Sequence, residues 1–323
     1  MLQRRLLTIA TMAVCVALAN ASPSAAAVTG ACHVSPVVAD LERSLHFYRD
    51  LLGFEPAPQA DPSAWDTRRE VLNLHGLPKA RLRSASLHIA STRCGIELVQ
   101  FARVDRHAVR RRMQDPGAVT LILLVRDIDS LFAKLKAAHV EIATTGGAPV
   151  TPSPTSKSRA VIVKDPDGHF VELAQLDPLP ATSVPATSNV FDLRFRVTVN
   201  DLDEAVRYYR DGVGIEGKSA AFSAGAGVMA MMGLPATVEY RVNMTTIPGS
   251  SLILEFLELK GLERRTRSAR VQDPGSYRLQ LSVDRIDSAV EGLRRVDGHV
   301  ISTSASHALA QDLNNVFLIL QAP

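Results

Sequence analysis

The sequence predicts an α+β fold assembled from tandem βαβββ units. Residues 39–55 (ADLERSLHFYRDLLGFE) return as residues 200–216 (NDLDEAVRYYRDGVGIE), and Gly76-Leu77-Pro78 returns as Gly233-Leu234-Pro235. Gln114-Asp115-Pro116-Gly117 returns as Gln272-Asp273-Pro274-Gly275, each time ahead of an apolar run and a helix start at Asp127-Ile128-Asp129 or Arg285-Ile286-Asp287. Blocks that recur in one order mark a duplication, and such a repeat governs the whole fold. Within each copy, strand-like and helix-like patterns follow one another twice.

The elements follow in chain order. Cys32 to Val38 is apolar and β-branched, as a buried strand requires. Asp40 supplies an N-cap, and Leu41, Leu45, Phe47, Tyr48 and Leu51 form a helical apolar face that stops at Gly53. Arg81–Ala90 and Gly95–Phe101 read as strands. The order then recurs as a strand over Val119–Val125, a helix over Asp129–Ala138 and strands within Val161–Leu173, joined by the turn Asp165-Pro166-Asp167-Gly168. Residues 176–189 (LDPLPATSVPATSN) contain three prolines and several Ser, Thr and Ala residues, so they read as a linker between copies at 31–175 and 190–323.

Composition bounds the function classes. The chain has 323 residues, 46% of them hydrophobic and 21% charged, with a net charge of +3, which suits two ordinary globular domains. Short basic runs occur at Arg110–Arg112 and at Arg264, Arg265, Arg267 and Arg270, but no aromatic residues interleave with them. A nucleic-acid groove combines the two, so nucleic acid is not expected as a partner and the runs read as solvated connections. Arg4 and Arg5, the apolar stretch Leu6–Leu18 and the small residues Ala19-Asn20-Ala21 or Ala25-Ala26-Ala27 have the form of a signal peptide within residues 1–27. That stretch is shorter than the ~20 residues that span a bilayer. The mature chain is therefore expected without a membrane span, in the periplasm or outside the cell.

The strand followed by D-L-x-x-x-x-x-F-Y-x-x-x-L-G-F, the segment Leu121–Asp129 and the ending Asp165–Leu173 (DPDGHFVEL) resemble the vicinal-oxygen-chelate superfamily, which holds glyoxalases, bleomycin-resistance proteins and extradiol dioxygenases. The resemblance covers nearly all of both copies. It implies βαβββ units that curl in pairs into half-open, eight-stranded barrels around a cup, giving two glyoxalase-like modules. It also implies cup-facing ligand positions, which match His33, Glu97, Thr120 and Glu172 in the first copy and Arg194, Glu255, Arg278 and Ile319 in the second. His33, Glu97 and Glu172 would form a site for a divalent metal (Zn, Ni, Mn or Fe(II)), with Glu97 or Glu172 doubling as general base. Thr120 departs from the pattern as a poor ligand. The second copy is degenerate, because arginines repel a cation; Arg194 and Arg278 could instead clamp a carboxylate or phosphate, or pair with Glu255.

Pairing decides whether such a site exists. Neighbouring units within a copy would bring His33, Glu97 and Glu172 together, whereas pairing of the first unit with the fourth and the second with the third would separate them. Adjacent pairing is the expectation, since each copy is a self-contained repeat. It favours a metal-dependent enzyme acting on a small oxygen-bearing molecule. The alternatives are a metal-free small-molecule binder, as in bleomycin-resistance relatives, and a structural module with a filled cup. The family's strand order would also set Cys32 and Cys94 on neighbouring strands, so a disulfide and two separate buried thiols both stand open. No serine-hydrolase elbow, phosphate loop or dinucleotide fingerprint occurs in the chain.

Overall fold

The computed structural model describes residues 28–57, 61–92 and 95–323. The signal peptide expected in residues 1–27 lies outside the described residues, as do Cys94 and the side chain of Cys32, and with them the proposed disulfide.

The first unit opens with β1 (Val28–Pro36) and α1 (Leu41–Leu45), which widens into a π-helical turn over His46–Leu51. Asp40 caps α1 by accepting from the Arg43 N–H, which satisfies one of the orphan donors of the first turn. β2 (Glu55–Pro56), α2 (Arg69–Leu74), β3 (Arg81–His88) and β4 (Gly95–Ala102) complete the unit. The second unit is β5 (Val119–Val125), α3 (Ile128–Ala137), β6 (Arg159–Lys164) and β7 (Phe170–Gln175). The third repeats the first as β8 (Val190–Thr198), α4 (Leu202–Val213), β9 (Ser223–Ala224), α5 (Ala226–Met231), β10 (Glu239–Thr246) and β11 (Ile253–Lys260). The fourth is β12 (Tyr277–Val283), α6 (Ile286–Arg295), β13 (His299–Thr303), β14 (His307–Gln311) and β15 (Phe317–Gln321).

These strands form two curled sheets, ordered β13-β14-β15-β12-β1-β4-β3-β2 and β6-β7-β5-β8-β11-β10-β9. The first unit thus pairs with the fourth through antiparallel β1 and β12, and the second with the third through antiparallel β5 and β8. Adjacent pairing is overturned, and both sheets draw strands from both copies. Units of one copy meet instead through helices and turns. Tyr48 of the first unit donates to Asp165 of the second (2.9 Å), and Tyr209 of the third donates to Asp312 of the fourth (2.9 Å), all four groups being buried. The sheets face one another through their outer sides, where Tyr277 meets His169 and Phe195 at ring separations of 4.4 and 5.7 Å.

The two Gln-Asp-Pro-Gly repeats sit at the seams. Gly117 donates to the Thr198 carbonyl beside β5 and β8, and Gly275 donates to the Val37 carbonyl beside β12 and β1. Both glycines have positive φ, and a Cβ would lie 2.0 Å from the Asn314 carbonyl oxygen at Gly117 and 2.1 Å from that of Val109 at Gly275. No other residue fits there. Asp115 accepts from the Arg112 guanidinium and the Arg265 N–H, and Asp273 accepts from the Arg270 guanidinium and the His107 N–H. The arginine runs expected as solvated connections therefore help to hold the two long connectors to each other.

Because each seam joins the two copies, cutting the linker should leave them associated. A protease site introduced at 181–186 and cleaved under native conditions is expected to give two fragments that co-elute on size exclusion. Two separately eluting folded fragments would contradict the crossed pairing.

Candidate ligand site

Each sheet has a cup-facing side, and the strand register decides which residues share it. In the seven-stranded sheet, Arg196 lies opposite both Glu255 on β11 and Thr120 on β5. Arg196 donates through Nε to Glu255 (2.8 Å) and through Nη1 to Glu172 (2.6 Å), and all three side chains are buried. Burial opposes the charge on Arg196, but the two carboxylates more than offset it and hold the guanidinium protonated. Burial, with Glu255 close by, pushes the Glu172 carboxyl above its ordinary range despite the attraction of Arg196. Arg194 stands nearer the opening, 3.7 Å from Glu255. Thr120 is buried and its hydroxyl donates to the Met113 sulfur at 3.8 Å, so it is not presented to a ligand.

The eight-stranded sheet is built differently. Parallel pairing sets His33 against Gly95 and Val34 against Ile96, which brings Ser35, rather than His33, level with Glu97. Gln280 Nε2 donates to Glu97 (2.6 Å), and Ser35 Oγ donates to the same carboxylate oxygen (3.1 Å). His33 stays half-buried nearby, its pKa lowered by burial, partly countered by Glu97 and lowered further by His88. Deeper in the cup Arg278 is 1% exposed, over the ring of Phe101 at 5.9 Å. Leu309, Phe317 and Ile319 make an apolar floor, against which Leu74 and Leu77 pack from the segment around α2. At the rim a cleft of about 600 Å³ opens between α2 and the β13–β14 turn, lined by Val71, Leu74, Thr303, Ala305 and His307 among others.

The predicted site residues are therefore divided. His33 and Glu97 share the cup of the eight-stranded sheet, whereas Glu172 lies in the other sheet, bound to Arg196. Arg194 and Arg278 are likewise separated, so they cannot clamp one anion, and Arg278 takes no part in the network around Glu255. Sequence reasoning missed Ser35, Gln280 and Arg196. An offset of two residues along a strand keeps the same face, so His33 and Ser35, or Arg194 and Arg196, are equivalent in a period-2 pattern. The bulge in β1 between Ala31 and Val34 is not visible in that pattern.

A divalent metal, implied by the family resemblance, does not fit either donor set. In one cup a guanidinium already bridges the two carboxylates, and in the other Glu97 is already held by a hydroxyl and an amide, with His33 the one further expected ligand near it. Among the described residues, no group of three or more His, Cys, Asp or Glu side chains is placed to hold one ion. Nor, among them, is any helix long and apolar enough to cross a membrane.

Residues 31–173 match the model of the Glyoxalase/Bleomycin resistance protein/Dioxygenase superfamily. Glyoxalase I from Zea mays has a similar structure, with a TM-score of 0.57 and 15% identity, covering 92% of each chain. A putative dioxygenase from Bacillus subtilis is similar at a TM-score of 0.51 and 10% identity, covering 92% of this chain and 86% of that one. These likenesses show the fold. No curated protein matches the sequence significantly.

Removing Arg196 alone should be costly, since two buried carboxylates lose their counterion. Arg196→Met is expected to destabilise the protein by roughly 3–5 kcal/mol in denaturant unfolding. Adding Glu172→Gln and Glu255→Gln should restore about half of that loss or more. An R196M variant as stable as the wild type would show that the triad is not a closed charge network.

Proposed function

We propose that this chain, a member of the Glyoxalase/Bleomycin resistance protein/Dioxygenase superfamily, binds a small molecule in the cup of its eight-stranded sheet without using a metal. The observation that carries this reading is the state of the carboxylates. Glu172 and Glu255 are bound to Arg196, and Glu97 to Gln280 and Ser35, so none stands ready to complete a cation's coordination shell. The expected metal-dependent enzyme, with Glu97 or Glu172 as its base, loses the shared site it needs. The rim cleft of about 600 Å³ supports a binder over a filled structural module, because pockets of ~300–1,000 Å³ suit small ligands. Its wall includes Leu74, which continues into the apolar floor at Leu309 and Ile319.

A neutral apolar probe tests this. Nile red is expected to bind saturably in the presence of EDTA, with no change on adding Zn, Ni or Mn. Ala305 is exposed on the cleft wall, so Ala305→Trp should fold normally and weaken the probe by about tenfold, or ~1.4 kcal/mol. Binding that appears only with metal, or that ignores Ala305→Trp, would refute the proposal.

Export is part of the same reading, supported by Arg4, Arg5 and the apolar stretch Leu6–Leu18. N-terminal sequencing of the mature protein should begin after Ala21 or Ala27. An intact N-terminus in the producing cell would remove this part.

A further inference from the structure

The buried arginine of the eight-stranded sheet is left incomplete by the chain itself. Arg278 is 1% exposed, yet its Nε and Nη2 have no hydrogen-bond partner among the described residues. Leaving a buried cation's donors unmet is costly, and burial accordingly lowers its pKa to about 10, only partly countered by Glu97. Glu97 attracts Arg278 through space, but its hydrogen bonds come from Gln280 and Ser35. The contrast with Arg196, whose charge is met by two carboxylates at 2.8 and 2.6 Å, shows that this chain can satisfy a buried guanidinium where no ligand is needed.

The two unmet donors have a specific geometry. Nε–H and the neighbouring Nη2–H lie on one edge of the planar guanidinium and point the same way, which matches the two oxygens of a carboxylate. A third orphan sits close by. His75 is 5% exposed, its Nδ1 has no partner among the described residues, and its ring meets the edge of Phe101 at 5.3 Å, the same ring that Arg278 covers. Burial, reinforced by Arg278, lowers the His75 pKa to about 3, so the ring is neutral and can donate one N–H without adding charge. His75 directly follows Leu74, which lines the rim cleft.

We infer that Arg278 is the anchor for the carboxylate of a small monocarboxylic acid with an apolar body. The carboxylate accepts from Arg278 Nε and Nη2 and from His75, while the body lies against Leu74, Phe317 and Ile319. Glu97 shares this cup, so a singly charged head group is favoured over a dianion such as phosphate. This assignment rests on the eight-stranded cup being the ligand site.

The probe is benzoate, titrated into the full mature chain at pH 7 and constant ionic strength and followed by NMR shifts and thermal unfolding. Saturable binding that shifts residues around Leu74 and Phe101 is expected, with benzamide and inorganic phosphate at least about tenfold weaker. Arg278→Lys keeps the charge but loses the side-on pair of donors, and should weaken benzoate by about tenfold or more. Arg278→Met should abolish the benzoate response while leaving the unliganded midpoint equal to or above that of the wild type. A merely structural arginine would instead lower it. No benzoate binding to the wild type, equal binding of benzamide, tighter binding of phosphate, or unchanged binding by Arg278→Lys would each overturn the assignment. If Nile red still binds the cleft in that case, only the anchor is wrong; if neither probe binds, the cup is not the ligand site.

Discussion

The antiparallel seams between β1 and β12 and between β5 and β8 are the constraint on which the rest depends. They bring together strands more than two hundred residues apart in one case and on either side of the linker in the other. Every later property follows from which side chains these seams place in one cup. Beside the seams, Gly117 and Gly275 also approach the backbone of Asn314 and Val109 closely, where any Cβ would collide with a carbonyl oxygen. A repeated glycine motif that looks in isolation like a turn thus permits a long-range joint.

Charge is distributed differently in the two pairings. Pairing within copies would put Glu97 and Glu172 in one cup without an arginine, and Arg194, Arg196 and Arg278 in the other with Glu255 and Asp192. Unpaired buried charges are among the most expensive features a fold can contain. In the crossed pairing acids and bases share each cup: Glu172, Glu255 and Asp192 with Arg194 and Arg196, and Glu97 with Arg278. One cup converts that mixture into short ion pairs. The other keeps its two charges apart and leaves donors open, and that difference separates a closed interior from a candidate ligand site.

Local chemistry and site chemistry are connected through the helices that enter the cups. α2 lies between β2 and β3 and carries Leu74 to the cleft, with His75 at its C-terminal cap. Its counterpart α5 lies between β9 and β10 and supplies Met229, Met231 and Met232 to the main core. Neither segment has a periodic apolar face long enough to stand out as a helix, so both read as connections in the sequence. Their placement is set by the sheet surface they cover.

By itself the sequence determined the duplication, the order of strands and helices and several of their ends. Val119–Val125 and the cap at Asp40 are examples, because these depend on contacts within a few residues. It also marked Glu97, Glu172, Arg194 and Arg278 as side chains facing an interior. Only the tertiary structure decided that Glu172 belongs with Arg196, that Ser35 and Gln280 hold Glu97, and that two donors of Arg278 find no partner among the described residues. The physical reason is that the first strand of every unit offers the same kind of backbone edge, and backbone hydrogen bonds carry no record of which unit they join. The side chains that meet across a cup come from distant parts of the chain, and their contacts exist only once the strands are in place.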